Sequence, residues 1–268
     1  MTGVADSFDP AALDQALTGS RFAGKLHFFP SIPSTNAYAM QRAEAGAADG
    51  SVYFADEQTA GRGRGAHTWS SPPGSGLYVS ILLRPQIPPA DILWLSLAAG
   101  LAVQEAIREA TGIEADLRWP NDLLVHGKKV CGILTELNAE VTRVRHAVVG
   151  IGINSGQEHF PEELRSIATS LSLAVGHPVA RQPLLLALLQ SLDREVRALT
   201  ASTDITSAAQ SLRERLEANS SWIHGKRVRV DENGGFTGTT AGLDARGFLR
   251  VKTTAGLRTV LSGGVREN

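Results

Sequence analysis

The sequence predicts an α+β chain in two parts, a large unit of mixed helices and strands over residues 1–220 and a small all-strand unit over 221–268. Three observations predict it. Up to Asn219, apolar runs bounded by glycine or proline alternate with helix-forming runs. From Ser221 onward, apolar residues recur at every second position in short segments split by turn residues, which suits a small barrel. At 268 residues and 43% hydrophobic content, the chain has material for one sizeable core and a small appended one.

The elements follow in order. Asp9-Pro10 before Ala11 to Leu17 reads as a short capped helix. Leu26 to Phe29 reads as a strand. Ser34-Thr35-Asn36 precedes a helix from Ala37 to Ala45 that Gly46 closes, with the N-cap at Ser34 or Thr35. Those three residues could cap the helix only, or offer its unpaired N–H groups and their own side chains to a ligand. Val52-Tyr53-Phe54 begins a strand, and Gly76 to Leu83 is a strand apolar enough to be buried on both faces. Pro88-Pro89 opens a helix to about Glu109, closed by Gly112; its first half is apolar all round, as in a core helix. Ile113 to Leu117 is a strand. Leu123 to Val125 and Val130 to Leu134 form a hairpin around His126-Gly127-Lys128, with Lys129 where the turn enters the second strand. Val144 to Ile153 is a further strand, and helices follow around Pro183 to Leu199 and Ser207 to Ala218. Beyond the boundary near Asn219-Ser220, alternation over Arg227 to Val230, Gly247 to Val251 and Arg258 to Leu261 marks strands, with turns at Asn233-Gly234-Gly235 and Ala255-Gly256.

Composition excludes several function classes. A net charge of −1 argues against a general nucleic-acid binder. The single cysteine, Cys131, rules out an intrachain disulfide or a cysteine-cluster metal site and fits a reducing cytoplasm. Asp6 and Asp9 at the N-terminus argue against a secretory signal. The longest apolar run, Ile92 to Val103, falls short of the roughly 20 residues that cross a bilayer.

The stretch Asp56 to Trp69 carries the chemistry. Arg62 and Arg64 sit among Gly61, Gly63 and Gly65, directly after a strand. Glycine lets backbone N–H groups approach a ligand, and guanidinium forks match phosphate or carboxylate. The loop is built to wrap an anion. No Gly-Lys-Ser/Thr follows, so it is not a Walker A loop, and Thr68 to Pro73 cannot open the helix a dinucleotide fingerprint needs. A flexible basic surface loop is the other reading of this stretch alone.

Taken together, Ser34-Thr35-Asn36, Gln58 to Arg64 with Trp69, Arg118 to Asp122, Lys128 to Leu134 and Gly150 to Asn154 resemble the biotin–protein ligases in order and spacing, from about Leu26 to the end. The resemblance implies a class II aminoacyl-tRNA-synthetase-like catalytic fold, a mixed sheet flanked by helices, followed by a small SH3-like barrel. It implies a two-step reaction in which biotin and MgATP form biotinyl-5′-AMP, and the acyl group then passes to a lysine of a carboxylase's biotin carrier protein or domain, acetyl-CoA carboxylase being the acceptor enzyme. It gives Ser34, Thr35, Asn36 and Gln58 to the biotin head group and Gly132 to the pocket lining. Arg62, Gly63 and Arg64 close over biotin and the α-phosphate, and Lys129 stands between that phosphate and the biotin carboxylate. Trp69 lies near the adenine, and Arg118, Asn121 and Asn154 near the nucleotide. No residue is singled out as a direct metal ligand.

That assignment suits the chemistry. Joining a carboxylate to a phosphate needs no general base; the obstacle is repulsion between anions, which fixed cations and backbone donors in a dry site counter. Arg118 stands where the family mostly has lysine, and His67 where another basic residue is common. Cys131 reads as a small buried hydrophobe. Only about 25 residues precede the catalytic region, too few for the winged helix of the DNA-binding members, so no DNA binding is expected. The rivals are a lipoate ligase or octanoyltransferase, the latter needing a cysteine thioester, and a biotin-binding module without catalysis.

Overall fold

The computed structural model describes residues 8–65, 67–201, 205–232 and 234–268. In chain order the elements are α1 (Pro10–Ala16), β1 (Leu26–Ile32), α2 (Thr35–Glu44), β2 (Val52–Gln58), β3 (Leu77–Leu83), α3 (Leu93–Thr111), β4 (Asp116–Arg118), β5 (Asp122–Val125), β6 (Lys128–Ala139), β7 (Val144–Ile153), α4 (Leu171–Val175), α5 (Arg181–Thr200) and α6 (Thr206–Asn219). The small unit follows with β8 (His224–Val230), β9 (Phe236–Leu243), β10 (Leu249–Thr253), β11 (Gly256–Val260) and β12 (Val265–Glu267).

Local chemistry accounts for the helix ends. Asp9 accepts from the N–H groups of Ala11 and Ala12 at the start of α1, and Ser34 accepts from Ala37 N at the start of α2. Gly112 closes α3 at φ 72°, where a side chain would be strained. Between Pro89 and Asp91 the chain makes a 3₁₀ turn before α3, so the long helix starts a few residues later than Pro88-Pro89 suggested.

The large sheet runs β1-β2-β3-β7-β6-β5-β4; β1 and β2 are parallel and the rest antiparallel. Its period of two separates two faces. Val52, Phe54, Val79, Ile81, Ile133, Val149 and Ile151 point to one face, where they join α3 and α5 in the main core. By length and composition the 89–111 stretch could cross a membrane, since helix continues well past the apolar run at 92–103; 67% of its most apolar window is instead buried in the protein. The other face carries α2 over a small cluster of Ala39, Ala43, Tyr53, Leu82 and Val148.

The second sheet is antiparallel, ordered β11-β10-β9-β8-β12. β9 and β12 went unrecognised in the sequence, because β9 is rich in threonine and glycine and β12 has only three residues. At the turn expected at 233–235, Gly234 and Gly235 have φ values of 86° and 83°; Asn233 lies outside the described residues. The unit shares its core with the first. Val228, Val230, Leu249 and Val251 belong to the same buried cluster as α3, and the buried Trp119 indole N–H donates to Gly247 O at 2.9 Å. Trp119→Phe should therefore cost about 1–3 kcal/mol by stranding that carbonyl. Chemical denaturation checks this; an unchanged midpoint would mean that water replaces the bond.

Candidate active site

The site lies on the α2 face of the large sheet, beside the start of that helix and beyond the part it covers. β6 and β7 run antiparallel with Gly132 opposite Gly152 and Leu134 opposite Gly150, while Ser80 of β3 stands beside Gly150. Three glycines thus share one face and make a bare patch. A Cβ on Gly150 would meet Asn36 Oδ1 at 2.2 Å, and one on Gly152 would meet Trp69 Nε1 at 2.5 Å. Removing side chains here lets a helix terminus and a loop approach the sheet around a cleft that is open to solvent.

Eleven of the thirteen expected site residues line this one cleft. Ser34, Thr35 and Asn36 come from the start of α2, and Gln58 ends β2. Arg62, Gly63, Arg64 and Trp69 belong to the glycine loop. Asn121, Lys129 and Gly132 come from the β4–β5 turn and β6. Arg118 and Asn154 do not line it. Arg118 is drawn away by Asp122, 2.7 Å from its Nη2, and lies over the Trp222 ring at 5.5 Å. Asn154 is buried and donates from Nδ2 to Thr169 O at 3.1 Å.

One end of the cleft is a network of hydrogen bonds. Thr35 N and Oγ1 both donate to Gln58 Oε1, at 2.9 and 3.0 Å, and Gln58 Nε2 donates to Ser71 Oγ at 2.9 Å. The Ser80 hydroxyl lies 2.8 Å from both Thr35 Oγ1 and Asn36 Oδ1. Asn36 Nδ2 donates to Glu136 Oε2 at 2.8 Å. Thr35 and Asn36 are only 3% and 4% exposed, so donors and acceptors on this floor are worth more than in water. The arrangement suits a small group with both N–H donors and a carbonyl, as a cyclic urea has.

The other end carries the charges. Lys129 Nζ stands 2.5 Å from Asp122 Oδ1 and 5.5 Å from the centre of the Trp69 ring. Arg62 Nη2 pairs with Glu136 Oε1 at 3.1 Å, and Arg64 Nη1 donates at 3.0 Å to Gly263 O, in the loop between β11 and β12 of the small unit. The loop is a folded strap: Trp69 N bonds Gly61 O, Gly63 N bonds His67 O, and a Cβ on Gly61 would lie 2.3 Å from Trp69 O.

The sequence left Ser80, Glu136, Gly150, Gly152 and Asp122 unassigned as site residues. Gly150 and Gly152 were findable, because glycine at alternate positions of a strand bares one face. Glu136 and Ser80 carry no local signal; strand register brings Ser80 into the lining and Glu136 to the edge of the cleft, against Arg62 and Asn36. Among the described residues no group of three metal-ligating side chains converges.

Residues 28–154 match the family described as biotin/lipoate A/B protein ligases, and residues 223–265 match the biotin protein ligase C-terminal domain. The first match does not separate biotin from lipoate; the second, on the small sheet, does. The chain belongs to the biotin–protein ligase family. It is 38% identical over 237 residues to the bifunctional ligase/repressor BirA of Bacillus subtilis, covering 87% of this chain and 71% of that one. It is 36% identical over 239 residues to the biotin–[acetyl-CoA-carboxylase] ligase of Mycobacterium tuberculosis, covering 86% and 84%. The biotin protein ligase from Aquifex aeolicus, solved with biotin and ATP, superposes with a TM-score of 0.78 at 31% identity, over 91% of this chain and all of that one. The mixed sheet with its appended antiparallel sheet is thus the family's architecture, as the sequence led one to expect.

Within a biotin–protein ligase fold, Cys131 is not a nucleophile. It is buried on β6, and burial pushes its thiol well above the ordinary range. Cys131→Ala should keep full ligase activity, and the native thiol should resist iodoacetamide until the protein unfolds. Loss of activity in that variant would revive an acyl-thioester route.

Proposed function

We propose that the cleft condenses biotin with ATP to biotinyl-5′-AMP, and then passes the biotinyl group to one lysine of the biotin carboxyl carrier protein or domain of acetyl-CoA carboxylase. One observation carries this reading: the arginine loop and the hairpin lysine line the same cleft as the head-group residues. Ser34, Thr35, Asn36 and Gln58 hold the ureido head. Gly132 leaves room for the chain, and the biotin carboxylate lies at Lys129. An oxygen of that carboxylate attacks the α-phosphorus, and the bond to pyrophosphate breaks. Lys129 and the N–H groups of the strap screen the two anions as they meet. Arg64 closes over the phosphate. Trp69 packs near the adenine, and Asn121 holds the nucleotide side. Arg118 and Asn154 act one step removed, Arg118 by holding Asp122 against Lys129.

ATP would enter as its magnesium complex, and the metal would supply positive charge to the pyrophosphate; among the cleft residues, the carboxamide oxygen of Asn121 would suit a metal that keeps most of its water and phosphate ligands. The chain divides near Ser220 into a catalytic unit, 1–220, and an appended unit, 221–268, which holds the strap through Arg64. It works in the cytoplasm, without DNA or membrane. The test is transfer. With biotin, MgATP and a purified carrier domain, one carrier lysine should become biotinylated, undiminished by a large excess of lipoate. Lipoyl transfer at a comparable rate would contradict the reading.

A further inference from the structure

Glu136 lies outside the residues that any motif pointed to, yet it joins two parts of the cleft that are far apart in the chain. Its Oε1 takes the Arg62 guanidinium at 3.1 Å and its Oε2 takes the Asn36 carboxamide at 2.8 Å. From Asn36 the contacts continue through Ser80, Thr35 and Gln58 to Ser71, whose hydroxyl donates to Trp69 O at 3.2 Å. The path leaves the strap at Arg62 and re-enters it at Trp69. Both arms of the strap are therefore tied to the head-group floor, and Glu136 is the only charged member of that path apart from Arg62.

Position along β6 sharpens this. Gly132, Leu134 and Glu136 share a face, so Glu136 lies about 13 Å of extended strand beyond Gly132, away from Lys129. Its side chain is 24% exposed, whereas that of Arg62 is 52% exposed and would wander without a partner. Arg62 is thus anchored at the head-group end, and Lys129 holds the opposite end of the cleft. A fixed cation beside Asn36 polarises the floor toward an acceptor oxygen, and a carboxylate beside Asn36 fixes which way its amide points.

Resting on the proposed biotin chemistry, we propose that Glu136 is a positioning residue for head-group recognition. It orients Asn36 and, through Arg62, holds the strap over the bound ring, without touching the reacting atoms. The effect belongs to biotin binding and not to the chemical step.

The experiment is steady-state biotinylation of a purified carrier domain by Glu136→Gln, Arg62→Met and the double variant, with biotin and ATP varied in turn. Glu136→Gln keeps the shape and removes the charge, and Arg62 is exposed enough that its loss cannot unfold the chain. Glu136→Gln should raise the KM for biotin by about ten- to a hundredfold, the range expected for a charged hydrogen bond. It should leave kcat and the KM for ATP within about threefold, and the double variant should be no worse than the poorer single one. An unchanged KM for biotin would overturn the proposal. So would equal losses in kcat and both KM values with a lowered melting temperature, or fully additive effects. Wild-type protein that forms no adenylate would instead sink the functional reading itself, so the two failures are distinguishable.

Discussion

Lys129→Met should slow adenylate formation by on the order of a hundredfold, about 2.7 kcal/mol, comparable to the loss of one preorganised oxyanion donor. Methionine keeps the side chain's length and its contact with Trp69 and removes only the charge. Lys129 is the one cation of the cleft carried by a sheet strand; Arg62 and Arg64 belong to the strap. Its Nζ is held by Asp122, which Arg118 holds in turn, so the site spends no rearrangement on placing it. Because Arg118 stays on Asp122 in the variant, the carboxylate is not stranded, and the melting temperature should move little. The biotin–ATP step followed by pyrophosphate release is the measurement. A rate within threefold of wild type would remove Lys129 from the chemistry.

Gly150→Ala should do its damage at the other end. The new Cβ would lie 2.2 Å from Asn36 Oδ1 and 2.8 Å from its Cγ. Asn36 cannot simply swing aside, because it is buried on α2 and bonded to Ser80 and Glu136. Either the carboxamide rotates and both bonds break, or α2 lifts from the sheet. Overpacking of this kind costs about 1–3 kcal/mol, a melting shift of roughly 2–4 °C per kcal/mol for a chain of this size. Biotin affinity should fall at least about tenfold, the worth of one charged hydrogen bond. Gly132→Ala is the contrast. Its Cβ would meet Trp69 at 2.9 Å and Lys129 Cε at 3.2 Å, both on half-buried side chains at the charged end. That variant should lose kcat more than biotin affinity. Calorimetric titration with biotin, beside single-turnover adenylation, separates the two. Equal profiles for both variants would mean that the cleft is not divided into a recognition end and a chemical end.

The fold was legible where local rules and tertiary packing agree. α3 carries its own stop in Gly112, and the β5–β6 hairpin carries its own turn at His126-Gly127. α4 was not legible, since five residues give less than two turns of periodicity. The site was legible as types and spacings: two guanidiniums among glycines, a lysine at a strand entry, and hydroxyl residues at a helix start. Partnership was not. Nothing local to Arg62 points to Glu136, 74 positions away, and nothing local to Lys129 places Asp122 beside it. The Lys129–Asp122 pair follows from the register of β5 on β6, which is settled by which face of each strand is buried, and the Arg62–Glu136 pair needs the strap to fold back over the sheet as well. Arg118 shows the same limit. Its charge sits beside the nucleotide motif in sequence, yet strand geometry turns it onto Asp122 and Trp222.

The most direct test is to incubate the purified protein with biotin and ATP labelled at the α-phosphate, with no acceptor present. The account predicts a labelled biotinyl-adenylate that stays bound and forms only when biotin is supplied, with lipoate unable to replace it. Label release that does not depend on biotin, or no acyl-adenylate at all, would contradict it.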